Sequence, residues 1–415
     1  MFKIKKIDAL EILDSRGEPT VEVIVYSKDK RARACVPSGA SKGVYEAKEI
    51  RDGNKKRYHG KGVKRVIRNI KKVINSKLIG KEVTAQKKID KILIALDGTK
   101  DKSRLGANAL LGVSLAIARL GARLKKQFLY SYLQKIYGFK PRKRIPCPMF
   151  NLINGGKHGD SGLDIQEFLV IPQGIKNYKE RLRAGSEIFS SLKLVLKKKG
   201  LSVGLGDEGG FVPHLKNNED AFKLLLTAIK KAGYQPGKEI FLGLDVASSV
   251  FYKKGIYQLG EKSYSVLDLV SLYRRWIKKY PLISLEDPLS ENDWMGWAFL
   301  EKEIKREKKN ILTIGDDLFT TNPQRLKKGI ELGIGGAILI KPNQIGTLTE
   351  TIECIKLAQS NKYKIIISHR SGETVDTFIA DLAVAVGADF IKAGAPSRGE
   401  RLAKYNRLLE IEEGI

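Results

Sequence analysis

Apolar and polar positions alternate through the first 36 residues, interrupted by turn-forming stretches at Ser15-Arg16-Gly17-Glu18-Pro19 and Ser27-Lys28-Asp29-Lys30. Period-two alternation predicts half-buried strands, so this segment reads as a three-stranded antiparallel meander. From Val63 to Tyr137 the apolar period lengthens to that of a helix, as at Asn108, Leu111, Leu115 and Ile117 to Leu120. Helices covering one face of a meander make a small α+β domain, assigned to residues 1–137. Glycine and proline then cluster at Tyr137-Gly138-Phe139-Lys140-Pro141, Pro146 and Pro148, which marks the boundary to a second domain over residues 138–415.

The second domain carries a different pattern. Short apolar runs each stop at a polar residue: Phe241-Leu242-Gly243-Leu244 at Asp245, Leu282-Ile283-Ser284-Leu285 at Glu286, Ile311 to Gly315 at Asp316, Ala337 to Ile340 at Lys341, Ile365 to Ser368 at His369, and Phe390-Ile391 at Lys392. Each interval has room for one strand and one helix. Strands buried on both faces read as continuous apolar runs, and repeated βα units predict a (β/α) barrel whose working residues sit at the carboxyl ends of the strands. Three carboxylates, two lysines and a histidine then converge on one mouth. Gathered acids need counter-charge, and a hard divalent cation with oxygen ligands supplies it, which points to magnesium. Lys341 is placed to take a proton from a carbon next to a carboxylate, its pKa expected to be lowered by the metal and by Lys392.

Charge changes this picture little. The 76 Lys and Arg against 46 Asp and Glu give +30, but the basic residues are scattered. The short runs at Arg142 to Arg144, Lys197 to Lys199 and Lys305 to Lys309 have no interleaved aromatics of the kind that stack on bases. Solvated faces are the favoured reading, and a nucleic-acid or scaffold role through the basic surface is the weaker alternative. Cys35, Cys147 and Cys354 lie far apart, which suggests neither a disulfide framework nor a thiolate metal site. The first fourteen residues hold charge throughout and no apolar core, so the expected location is the cytoplasm, with a secondary surface or secreted pool left open. The apolar stretch Leu105 to Leu124 contains Asn108, Arg119 and Arg123, and is expected to be a buried helix that falls short of a membrane span.

Further chemistry lies between the runs. Gly206-Asp207-Glu208-Gly209-Gly210 sets two acids among glycines, and Gln166-Glu167 follows Asn154-Gly155-Gly156-Lys157-His158. If Glu208 approaches Glu167, repulsion raises one pKa and supplies a general acid for a departing hydroxide. The match of Gly204 to Gly209 to a dinucleotide-binding fingerprint runs into Phe211-Val212-Pro213 and not into a helix, so it is rejected. His369-Arg370-Ser371 offers a guanidinium fork and a hydroxyl to a phosphate. Ser38-Gly39-Ala40-Ser41-Lys42-Gly43 is small and flexible enough to close over a site, with Ser38 offering oxygen to a second cation. His59 and His214 read as structural.

Taken together, these motifs resemble the enolase family, and the resemblance covers the whole length. It is carried also by Leu13 to Gly17 with Pro19 to Glu22, Leu105-Gly106-Ala107-Asn108-Ala109, Glu286-Asp287-Pro288, Gly315-Asp316-Asp317-Leu318, Lys341-Pro342-Asn343-Gln344-Ile345-Gly346-Thr347, Ser368 to Thr374 and Gly394-Ala395-Pro396. It implies a barrel that opens with an irregular ββαα start, and the glycolytic and gluconeogenic dehydration of 2-phospho-D-glycerate to phosphoenolpyruvate. The use of a lysine base with magnesium is a known pattern of that superfamily, so here it is implied by the resemblance. The same resemblance implies two magnesium ions, the first on Asp245, Glu286 and Asp316, with Ser38 on the second. It makes Lys341 the base and Glu208, supported by Glu167, the acid. Lys392 binds the substrate carboxylate, Arg370 and Ser371 with the adjoining His369 lie at the phosphate, and His158 comes from a closing loop. A homodimer or an octamer is implied.

Lys42, where Thr or Ser is common, and Lys157 depart from the family pattern and are expected to add positive charge to the lids. A related sugar-acid dehydratase or racemase would need a base on an earlier strand, whereas Lys362-Tyr363-Lys364 begins a strand, at the wrong end. The chain ends Glu412-Glu413-Gly414-Ile415, without the terminal lysine that a plasminogen-binding role would favour.

Overall fold

The computed structural model describes residues 2–39, 43–140, 145–307 and 309–414. The expectations resting on Ala40, Ser41 and Lys42, on Pro141 and Arg142 to Arg144, and on Lys308 lie outside the described residues.

Strands β1 (Lys6–Leu13), β2 (Pro19–Ser27) and β3 (Lys30–Cys35) pair antiparallel in the order β1-β2-β3. The helix Ala107–Leu124 lies across β2 and β3. Its apolar surface runs nearly all round because it is enclosed on all sides. By length and composition alone it is apolar enough to cross a membrane, but 83% of it is buried inside the protein, as expected of a core helix. Within that helix Asn108 is tolerated because it closes both hydrogen bonds with the Ile50 backbone, at 3.3 and 3.1 Å.

The second domain is a closed barrel. Its strands are β4 (Cys147–Asn154), β5 (Glu167–Ile171), β6 (Phe241–Asp245), β10 (Leu282–Glu286), β11 (Leu312–Gly315), β12 (Ala337–Ile340), β13 (Lys364–Ser368) and β14 (Phe390–Lys392). β5 runs antiparallel to both β4 and β6, and all other neighbours are parallel. Two helices, Tyr178–Lys198 and Asn218–Lys231, separate β5 from β6, which completes the ββαα start. The long interval before β10 also holds a small antiparallel meander of β7 (Tyr252–Lys253), β8 (Ile256–Leu259) and β9 (Lys262–Tyr264) that the sequence pattern did not announce. The barrel interior below the mouth is apolar, lined by Met149, Leu169, Ile171, Ile314, Leu339 and Ile366 among others.

The two domains share one apolar cluster and a polar lock. Asp90, fully buried on the helix Gln86–Asp97, accepts from the backbone nitrogen and hydroxyl of Thr349, at 3.0 and 2.6 Å. Ser114 accepts from Leu348 nitrogen at 3.0 Å. The two bonds from backbone nitrogens satisfy donors that the helix Leu348–Ser360 leaves unpaired at its start.

Gly112 sets the spacing between helix and meander, since a Cβ there would lie 2.5 Å from Val23 Cγ2 and 3.2 Å from Val36 Cγ2. Gly112→Ala is expected to destabilise the protein by about 1–3 kcal/mol through overpacking, outweighing the ~1 kcal/mol gain in helix propensity. Thermal unfolding checks this; an unchanged or raised midpoint would contradict the packing.

Candidate active site

The parallel strands deliver their last residues to one rim. Asp245 ends β6, Glu286 ends β10, Lys392 ends β14, and Asp316, Lys341 and His369 directly follow β11, β12 and β13. Because β5 is antiparallel, its first residue, Glu167, reaches the same rim, paired in register with Asp245. Together with Glu208, Asp245, Asp316, Lys341 and Lys392, it lines a cavity of about 250 Å³. Glu286 is fully buried.

Lys392 is the counter-ion of this ring. Its Nζ lies 2.8 Å from Asp245, 2.9 Å from both oxygens of Glu286 and 3.0 Å from Glu167. Burial alone disfavours the ammonium, but the surrounding acids outweigh it and hold Lys392 well above the usual lysine range. Lys341 pairs closely with Asp316, which also accepts from Gln344 Nε2 at 3.2 Å. Burial is the strongest influence and pushes the Lys341 pKa down, but Asp316 together with the other nearby acids makes the net shift upward; the lowering expected from the sequence applies to a site that holds the metal. Lys392 does lower it, but more weakly than Asp316 raises it.

Beside this ring stands a group that the run-ending pattern missed. Asp287 follows Glu286 with φ 39°, and its carboxylate accepts from the backbone nitrogens of Asp316 and Asp317 at 3.0 and 2.6 Å. Oxygens of Asp287, Asp316 and Asp317 all lie within 4.8 Å of one another. Burial and mutual repulsion push Asp287 and Glu286 well above the ordinary carboxylate range and Asp317 up to about 7. Such a crowd of oxygen donors with excess negative charge fits a hard divalent cation.

On another side of the cavity, Glu167, Glu208 and His158 each bring one atom within 4.8 Å of the others. His158 Nδ1 lies 3.4 Å from Glu167 and 3.6 Å from Glu208. Glu208 also accepts from Asn151 Nδ2 at 2.9 Å and lies 3.4 Å from His369 Nε2. Burial pushes both acids up, but His158, His369 and Arg401 pull Glu208 well below its ordinary value, while Glu167, facing Glu208, rises to about 7. Repulsion does raise one pKa of the pair, and the raised member is Glu167, while the cations around Glu208 lower it. Glycines make this proximity feasible: a Cβ on Gly210 would lie 2.1 Å from Asn154 Oδ1, and one on Gly206 would lie 2.5 Å from the His158 carbonyl.

Arg370 and Ser371 also line the cavity. The Arg370 fork is gripped by both oxygens of Glu46, at 2.9 and 3.1 Å, and by Asn343 Oδ1 at 3.0 Å. Ser38 bridges to Gly372 through both backbone groups, at 2.8 and 2.9 Å, and its hydroxyl donates to Glu49 and accepts from Arg51. Its loop is thereby joined to the His369–Ser371 segment. Lys157 lines the cavity too.

A family model described as "Enolase, C-terminal TIM barrel domain" matches residues 142–415, and one described as "Enolase, N-terminal domain" matches residues 4–133. A relative named enolase, from Elusimicrobium minutum (strain Pei191), is 52% identical over 417 residues, covering 100% of this chain and 97% of the relative.

The raised Glu167 value has a signed consequence. Below its ordinary value of 4.5 the group is protonated whether folded or unfolded; between there and about 7 only the folded chain keeps the proton. The favourable contribution is thus lost as pH rises through that window. With chelator present, subtracting the Glu167→Gln infrared spectra from those of the wild type is expected to leave one protonated carboxyl component that persists to near pH 7. The bands of Glu286, Asp287 and Asp317, which both proteins share, cancel. A difference component that titrates below pH 5, or no difference between the two proteins, would contradict this.

Proposed function

The chain belongs to the enolase family, and we propose from that premise that it catalyses the reversible dehydration of 2-phospho-D-glycerate to phosphoenolpyruvate and water in glycolysis and gluconeogenesis. The observation that carries this reading is one small cavity holding both an amine, Lys341, and a separate carboxyl pair, Glu167 and Glu208, of which Glu167 is pushed up to about 7. Elimination of water needs both: a base for the proton next to the carboxylate, and an acid for the hydroxyl on the neighbouring carbon.

In this reading Lys341 Nζ removes the α-proton. The C–H electron pair is first delocalised into the substrate carboxylate as an enolate; in a second step it forms the C=C bond as the C–O bond breaks, and the departing hydroxide takes a proton from the acid pair. Glu208 faces the leaving group, with Glu167 as the proton reservoir and His158 beside both. Arg370, held in orientation by Glu46 and Asn343, meets the phosphate together with Ser371, and His369 stands behind Glu208. Lys392 sits at the substrate's carboxylate end.

Asp245, Glu286 and Asp316 offer the oxygen donors for one magnesium ion, and Ser38 adjoins the phosphate end where a second would be held. Bound there, the ions supply positive charge to the substrate's carboxylate and phosphate. Asp316 is the acid that most raises the Lys341 pKa, so anything that engages this carboxylate would make the amine a better base. We further propose a cytoplasmic homo-oligomer, dimeric or octameric. The scattered basic residues favour no nucleic-acid partner.

Lys341→Ala is expected to slow exchange of the substrate α-proton into deuterated water by on the order of 10³-fold. Glu208→Gln is expected to spare that exchange while blocking net formation of phosphoenolpyruvate, followed by its ultraviolet absorbance. Both reactions should stop when magnesium is chelated. Turnover retained in Lys341→Ala would overturn the assignment of the base.

A further inference from the structure

Arg401 takes no part in the chemistry above and lies on the last helix, Gly399–Glu413, yet it is fully buried. Its guanidinium reaches two segments of the rim. Nη1 donates to His369 Nδ1 at 2.6 Å and to the Arg370 carbonyl at 2.7 Å. Nη2 donates to the carbonyls of Ser371 and Asp207, at 2.6 and 3.0 Å, and to Ser15 Oγ at 3.4 Å. Glu400 lies 3.3 Å from Nε, and Glu373, the other acid close by, is taken by Lys404 at 2.8 Å. Gly394 makes room for this arm, since a Cβ there would lie 2.9 Å from Arg401 Cδ.

A guanidinium donates and never accepts, so the His369 Nδ1 that receives its hydrogen bond carries no proton. A neutral ring then carries its proton on Nε2, the atom 3.4 Å from Glu208. We propose that Arg401 is a positioning residue that fixes His369 as the Nε2–H tautomer, directs that proton at Glu208, and ties the Asp207 and Ser371 carbonyls so that the acid and the phosphate-binding segment keep their spacing. The proposal rests on the role given to Glu208 above. Burial independently keeps the ring neutral, with its pKa lowered to about 4. In catalytic triads the same principle operates: the group behind the histidine selects its tautomer, and losing that group leaves the geometry in place but the proton on the wrong nitrogen.

The test uses the full chain labelled with ¹⁵N-histidine and read by long-range proton–nitrogen correlation, without substrate. Of the four histidines, His369 is the one whose signals vanish in His369→Gln. The wild-type ring is expected to be neutral with its proton on Nε2 from about pH 6 to 8; an imidazolium, or a proton on Nδ1, would overturn the proposal. Arg401→Lys, which keeps the charge but loses the fork, should show mixed tautomers. It should also lose dehydration on the order of 100-fold while α-proton exchange falls less than about threefold. A lysine variant that keeps a pure Nε2–H spectrum, or loses both rates equally, would contradict it. Should that variant not fold, the wild-type spectrum decides alone, and wild-type turnover separately reports whether the reaction itself is assigned correctly.

Discussion

Carboxylates buried together at the end of a barrel must be compensated, and here the compensation is Lys392. Asp245, Glu286 and Glu167 converge on one ammonium that is itself cut off from water. Removing one partner of such a group leaves an uncompensated buried charge, which costs several kcal/mol, roughly 3–5 where it has been measured. The same need appears next door, where Lys341 answers Asp316 and the backbone nitrogens of Asp316 and Asp317 answer Asp287. Compensation is incomplete, because Glu286, Asp287 and Asp317 remain pushed upward. That surplus of oxygen and negative charge is what makes the rim receptive to divalent cations.

The fold meets this need through strand direction. Parallel strands bring their final residues to one rim, and the reversal of β5 adds Glu167, which opens its strand, to the same circle. The glycines of the 206–210 loop then allow Glu208 to approach from outside the barrel. Two acids so placed are pushed apart in pKa, Glu167 up and Glu208 down, whereas the three at the strand ends share lysines. One barrel mouth thus separates a basic side from an acidic side, which is what an elimination requires.

Most of this was legible in the chain because charged residues at the ends of apolar runs can be read directly, and Asp245, Glu286, Asp316, Lys341, His369 and Lys392 all follow that rule. Other features depend on partners chosen only in three dimensions. Glu46 and Asn343 on Arg370, and Arg401 behind His369, have no spacing that betrays them. The two-residue strand Tyr252–Lys253 is too short to show a period. The direction of the Lys341 shift turned on which charge lay nearest, and the pattern could not rank Asp316 against Lys392. Likewise the Glu167–Glu208 pair was readable as a pair, but which member holds the proton is decided by the histidines grouped around Glu208.

The account stands or falls on whether these rim carboxylates bind a divalent ion. Manganese, a paramagnetic substitute for magnesium, loses its free-ion electron resonance signal when bound, so a titration measures binding directly. The wild-type chain should quench that signal and magnesium should restore it by competition, while Asp245→Asn, with unchanged circular dichroism, should leave the signal as it is in buffer alone. Equal quenching by the folded variant would place the ion elsewhere and contradict the account.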